Sequence, residues 1–175
     1  MVMNSGLRKF VLATHVASSV GLLGAVAAFF ALSVIGLGSD SALARAVYPA
    51  MKVTTWFVVL PLAIASLGIG LIESLGTAWG LFRHYWVVAK LAITAVAVAV
   101  LLLQLGVIDY MAAVALGGFA MDETMIEARM ALVAHSGGGL LLLLVPVALS
   151  IYKPQGVTRY WRRRQAGVSL SVHHQ

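Results

Sequence analysis

Three ionisable side chains stand inside otherwise apolar sequence, and they are the residues with most chemistry to offer. His15 lies in Ala13-Thr14-His15-Val16, Lys90 in Val88-Ala89-Lys90-Leu91, and His135 just ahead of Gly137, Gly138 and Gly139. A neutral imidazole is a common ligand for haem iron and transition metals. A desolvated lysine can change its proton affinity and then coordinate or transfer protons. Ionisable groups at membrane depth are costly, so they mark function or a paired contact. The plainer reading stands beside this one. His15 and His135 can bridge helices by hydrogen bonds, and Lys90 and Lys52 can snorkel to headgroups on apolar stems.

The elements that carry these residues are four apolar stretches, at about 9–37, 50–72, 86–105 and 126–151. About 20 apolar residues cross a hydrocarbon core at about 1.5 Å per residue. The expected fold is therefore an all-α, polytopic membrane protein, a four-helix transmembrane bundle of up-down topology in a single domain. Composition agrees, since 61% hydrophobic against 10% charged residues is not a soluble balance. The absence of cysteine excludes disulfides, thiolate metal sites and thiol catalysis. No phosphate loop, catalytic triad or carboxylate pair is visible. The net charge of +6 does not indicate nucleic acid, because the basic residues sit at helix ends where headgroups lie.

Charge placement predicts orientation. Arg8, Lys9, Arg83, Lys153, Arg159, Arg162, Arg163 and Arg164 fall on one side, and Asp40, Asp109, Asp122, Glu123 and Glu127 on the other. The positive-inside rule then puts both termini in the cytoplasm, with the chain in the inner (plasma) membrane and 152–175 as a basic cytoplasmic tail. Arg8-Lys9, the apolar run and Ser41-Ala42-Leu43-Ala44 have the outline of a signal peptide. The run far exceeds an h-region of roughly 7–15 residues, so helix 1 is expected to be kept.

Loops are expected at 38–47, where Gly-Ser-Asp-Ser precedes Tyr48-Pro49, at 73–83 and at 106–125, the last as a cap or interfacial helix. Small residues at Ala17, Gly21, Gly24 and Ala28, at Ser66 and Gly70, and at Ala134 and Gly138 are expected where helices approach closely. The glycines after His135 leave room for another helix or a flat ligand. Pro61 and Pro146 are candidate kinks.

Depth sorts the polar groups into two layers. Counted from Arg8 and His84, His15 and Lys90 each lie about 10 Å into the membrane. Counted from the same face, His135 lies about 27 Å in and Gln104 about 30 Å in. Lys52 joins the second layer, while His84 and Glu73 lie near the first.

The run Leu12-Ala13-Thr14-His15-Val16-Ala17-Ser18-Ser19-Val20-Gly21 resembles the first helix of CopD-like four-helix membrane proteins. Trp86-Val87-Val88-Ala89-Lys90-Leu91 resembles the opening of their third helix. His135-Ser136-Gly137-Gly138-Gly139 with Tyr152-Lys153-Pro154-Gln155-Gly156 is similar to an actinobacterial branch of them. The first two motifs also resemble, more distantly, HemJ-type protoporphyrinogen oxidases. That resemblance implies haem b binding linked to His15 and Lys90; Gln104 stands where relatives offer histidine.

The expected function is binding of haem b or a metal within the bundle, with His15, Lys90 and His135 as cofactor residues and His15 and His135 as metal ligands. Redox or electron-transfer chemistry, with quinone as exchange partner, would follow. The alternatives are an accessory subunit packed against other membrane subunits, or a copper or small-solute transporter, with Met51, Met111, Met121, Met125 and Met130 as soft ligands.

Overall fold

In hydrocarbon the backbone must satisfy its own hydrogen bonds, and these apolar stretches do so as helices. The structure, a computed structural model, describes residues 4–38, 41–76, 84–117 and 123–152. It comprises α1 (Ser5–Gly38), α2 (Ser41–Thr54), a π turn (Thr55–Val59) leading directly into α3 (Leu60–Gly76), α4 (Tyr85–Gly117) and α5 (Glu123–Tyr152). α2, the π turn and α3 form one continuous rod. Four rods result, each long and apolar enough to cross a membrane. The tail from 153, Arg83 and the remaining connections lie outside the described residues.

Neighbouring rods run antiparallel. Early α1 meets late α3 where His15 packs on Gly70, and late α1 meets early α5 at Ser33 and Ser136, 3.1 Å apart. Early α4 meets late α5 where Lys90 Nζ donates to Ser150 Oγ at 2.6 Å. α1 and α4 therefore sit on a diagonal, each flanked by the second rod and by α5. This is the expected all-α, up-down four-helix bundle. The outward faces carry Phe57, Leu103 and Leu116, each more than 70% exposed, as a lipid-facing surface requires.

Two expected loops prove helical. α2 begins at Ser41 rather than near 50, because Ala44, Val47, Tyr48 and Met51 form one buried face at i, i+3, i+4 and i+7. α4 continues past 105 to Gly117 for the same reason, with Ile108, Met111, Ala112 and Ala115 in the same pattern. The two faces pack together with Phe29, Met125 and Leu132 into the larger of two cores, at the end of the bundle away from the termini. Gly38 does end α1, whereas Pro49 lies inside α2, where the matched apolar faces outweigh it.

The small-residue row on α1 is also corrected. Ala17, Gly24 and Ala28 face outward, and the buried face is Ser18, Leu22, Phe29, Ser33 and Gly36. Gly21 does approach Leu62. On α5 the packing glycine is Gly137, against Phe30, while Ala134 and Gly138 are exposed. Ser66 and Gly70 pack as expected, Ser66 pairing with Ser19 at 2.8 Å.

The π turn in the second rod directly precedes Pro61. Lacking an N–H, Pro61 cannot donate to the Phe57 carbonyl, and its ring crowds that oxygen. The helix widens just ahead of it, and the Leu60 N–H reaches the Thr55 carbonyl five residues back.

Gly36 is where the larger core is tightest. A Cβ there would lie 2.9 Å from Tyr48 Oη, and Tyr48 is 1% exposed. Gly36→Leu is expected to lower stability by about 1–3 kcal/mol, as overpacking does. Thermal unfolding in mild detergent checks this, with Gly24→Leu, at an open position, expected to stay near wild type.

Candidate functional site

Two cavities occupy the bundle below the larger core, and they collect most of the polar residues of the two layers. The first, of about 100 Å³, lies toward the termini between α1, α3 and α4. His15, Ser66, Gly70, Glu73, Ser74, Trp86 and Lys90 line it. Gly70 makes the space for the imidazole, since a Cβ there would come 2.9 Å from His15 Cε1. His15 Nδ1 is buried and meets no hydrogen-bond partner among the described residues. Glu73 and Lys90 both act on the ring electrostatically.

Lys90 does not snorkel freely. Its ammonium donates to Ser150 Oγ on α5 and stands 5.7 Å from the Trp86 ring centroid. Ser150 in turn donates to the Pro146 carbonyl at 2.7 Å. His84 is not part of this wall; its ring lies 6.2 Å from Trp86, tilted at 46°.

The second cavity, of about 260 Å³, lies at the centre of the bundle and is walled mainly by aliphatic side chains from all four rods. Thr55 and Val59 of the π turn, Gly138 and Gly139 of α5, Gln104 of α4 and His135 of α5 border it. A Cβ on Gly138 or Gly139 would meet nothing within 4 Å, so these glycines do leave open space. Most hydroxyls here are spent locally. Thr55 donates to the Met51 carbonyl, Thr94 to the Lys90 carbonyl and Ser136 to the Leu132 carbonyl.

Two groups remain. His135 is exposed overall, and its Nδ1 lies 2.6 Å from the Ala131 carbonyl. A carbonyl only accepts, so Nδ1 carries the proton and Nε2 presents a lone pair. The Gln104 side-chain carbonyl is buried with no hydrogen-bond partner among the described residues. Both are acceptors on the rim of an apolar space.

Lys52 does not join them. Its ammonium lies 3.1 Å from Asp109 Oδ1, which also accepts from Trp56 Nε1 at 3.1 Å. This exposed triad ties the second rod to α4, with Asp109 on a helix rather than in a loop.

The fit of a haem or metal can be tested residue by residue. His15 and Lys90 share a cavity, but it is small and polar, contains a carboxylate, and has its lysine tied to Ser150. About 100 Å³ is well below the roughly 300–1,000 Å³ of ordinary ligand pockets. This pair does not form a porphyrin slot. His135 has suitable chemistry, since a ligating histidine commonly gives its other N–H to a backbone carbonyl. His15 and His135 cannot share one metal ion: Ser136 is level with Ser33, about 27 Å along α1 from His15. Among the described residues no three His, Asp or Glu side chains converge as a metal site. Met51, Met111 and Met125 are buried together in the larger core. The buried Arg129 shares the α5 face of Met125, which disfavours a cation there.

Arg129 is a buried charge in the larger core. It is 4% exposed, and its guanidinium stands 5.6 Å over the Tyr48 ring. The signal was present in the periodicity, because Met125, Arg129, Leu132 and Ser136 fall on one helical face.

In geometry and composition, the described residues form an all-helical bundle of membrane-spanning length, with a smaller cavity carrying charged side chains and a larger, mainly aliphatic one. Compared with known proteins, the chain matches no family model, no curated protein and no solved structure.

Gly70→Ala is expected to displace the His15 ring while the bundle stays helical. Nitrogen-15 NMR of labelled histidine should then show the His15 resonances moved and those of His135 unchanged.

Proposed function

We propose that this chain is a multi-pass protein of the plasma membrane, with cytoplasmic termini, that binds the head group of a lipophilic quinol in its central cavity. The observation that carries the reading is the pairing of aliphatic walls with two uncommitted acceptors, His135 Nε2 and the Gln104 carbonyl. An apolar pocket with a few placed polar groups suits a flat lipophilic ring. Quinol hydroxyls donate, and these two groups accept. A cavity of about 260 Å³ suits one substituted six-membered ring better than a macrocycle. The basic residues 8, 9, 83 and 153–164 support the orientation, because cytoplasmic flanks are enriched in lysine and arginine.

A second reading is favoured by His135 itself. Its committed Nδ1–H and free Nε2 suit an axial ligand, so haem b at this histidine is the alternative occupant. Bound there, haem would supply one-electron chemistry. His135 would hold it, with Gly138 and Gly139 giving room for its edge.

Solvent extraction of protein purified in mild detergent, followed by mass spectrometry, tests the first reading. Retention of a quinone-class lipid in wild type, and its loss in Gly138→Leu, is the expected result. That leucine fills open space, so thermal stability should be held or raised. His135→Phe and Gln104→Leu should each weaken binding of an added quinol analogue about tenfold, the scale of one lost hydrogen bond. An intense Soret band that shifts with dithionite and vanishes in His135→Phe would instead establish haem. No retained quinone, no analogue binding and no Soret band would defeat both readings.

A further inference from the structure

The smaller cavity brings three titratable side chains from three different rods into one polar wall. His15 comes from α1, Glu73 from α3 and Lys90 from α4, while α5 contributes Ser150 as the partner of Lys90. Among the described residues α5 presents no titratable group there. The cavity of about 100 Å³ exceeds the roughly 10–15 Å³ one water requires, and its walls are polar enough to hold several. His15 Nδ1 needs a partner that the described protein does not give it, and water in this cavity is the available one.

The charge inventory narrows what the cavity can handle. A fixed ammonium repels metal cations, and a carboxylate repels anions. With Lys90 charged, Glu73 ionised and His15 neutral the site sums to zero, the least costly state at membrane depth. Protons and water remain.

We infer that the His15–Glu73–Lys90 cavity is a proton-exchange site, open from the end of the bundle where the termini lie and leading toward the central cavity. Position along the rods gives the direction. Glu73 is three residues from the end of α3, and His15 is level with Gly70, nearly one turn deeper. The Ser19–Ser66 pair follows, one further turn in. Thr94, the residue that borders both cavities, separates this site from the central one.

The step is a simple transfer. An N–H bond of protonated His15 breaks as an O–H bond forms on the Glu73 carboxylate, directly or through one water, and no electrons move. Lys90, held by Ser150 and Trp86, is fixed in the same wall as both groups.

Infrared titration of the full chain in lipid nanodiscs tests the inference without any bound ring, so its outcome is independent of what occupies the central cavity. Acidification should raise a protonated-carboxyl band that shifts in D2O and is lost in Glu73→Gln. In Lys90→Met the midpoint of that band should rise by about 1 pH unit or more, because a nearby cation favours the carboxylate. In His15→Phe the midpoint should also move, whereas in His84→Phe it should not. Circular dichroism verifies that each variant keeps its helices, and Glu73→Asp should restore the band. A carboxyl band insensitive to D2O, or a midpoint unchanged in both Lys90→Met and His15→Phe, would overturn the assignment.

Discussion

The cost of an unpaired polar group in hydrocarbon governs this molecule. Around the bundle there is no water to accept a stray hydrogen bond, so serine and threonine hydroxyls turn back onto carbonyls of their own helix. Ser18, Ser33, Thr55, Ser74, Thr94, Ser136 and Ser150 all do so. Against that thrift, the few groups left over are informative. His15 Nδ1, the Gln104 carbonyl and Tyr48 Oη lack such a partner among the described residues; the first two lie at cavities, and Tyr48 sits in the larger core beneath Arg129.

The two cores divide the labour. The larger one, built on Tyr48, Met51, Met111 and Met125, fixes the end of the bundle away from the termini with bulky, fully buried side chains. The smaller one, Leu22, Val59, Ala63 and Val98, packs the middle with shorter residues and leaves the central cavity beside it. Filling that cavity with larger side chains would stabilise the fold. Its retention is a loss of packing that a ligand can recover.

Much of this was legible in the sequence, for identifiable reasons. The four crossings follow from unbroken apolar length, and the two layers from a rise that varies little between helices. His15 with Lys90, and His135 with Gln104, each border one cavity as depth alone suggested. Rotation about the helix axes was not legible. Lys52 has the depth of His135 but turns toward Asp109, and Arg129 turns inward. The two missed helical extensions had a different cause. The turn residues from Gly38 and a proline suited to a helix start at 49 set the expected loop at 38–47, whereas Ala44, Val47, Tyr48 and Met51 had a partner face on α4 that only tertiary packing discloses. The small-residue row of α1 failed likewise, since alanine and glycine suit lipid-facing positions as readily as contacts.

The π turn at 55–59 has a consequence for how the second rod is put together. Inserting one residue into a turn sets every later side chain back by about 100° around the axis. Val59 and Ala63, which an unbroken α-helix would carry away from the face of Tyr48 and Met51, are thus kept on it, so one side of the rod serves both cores. The rod behaves as two α-helical segments rephased on one axle, and the seam between them falls on the wall of the central cavity.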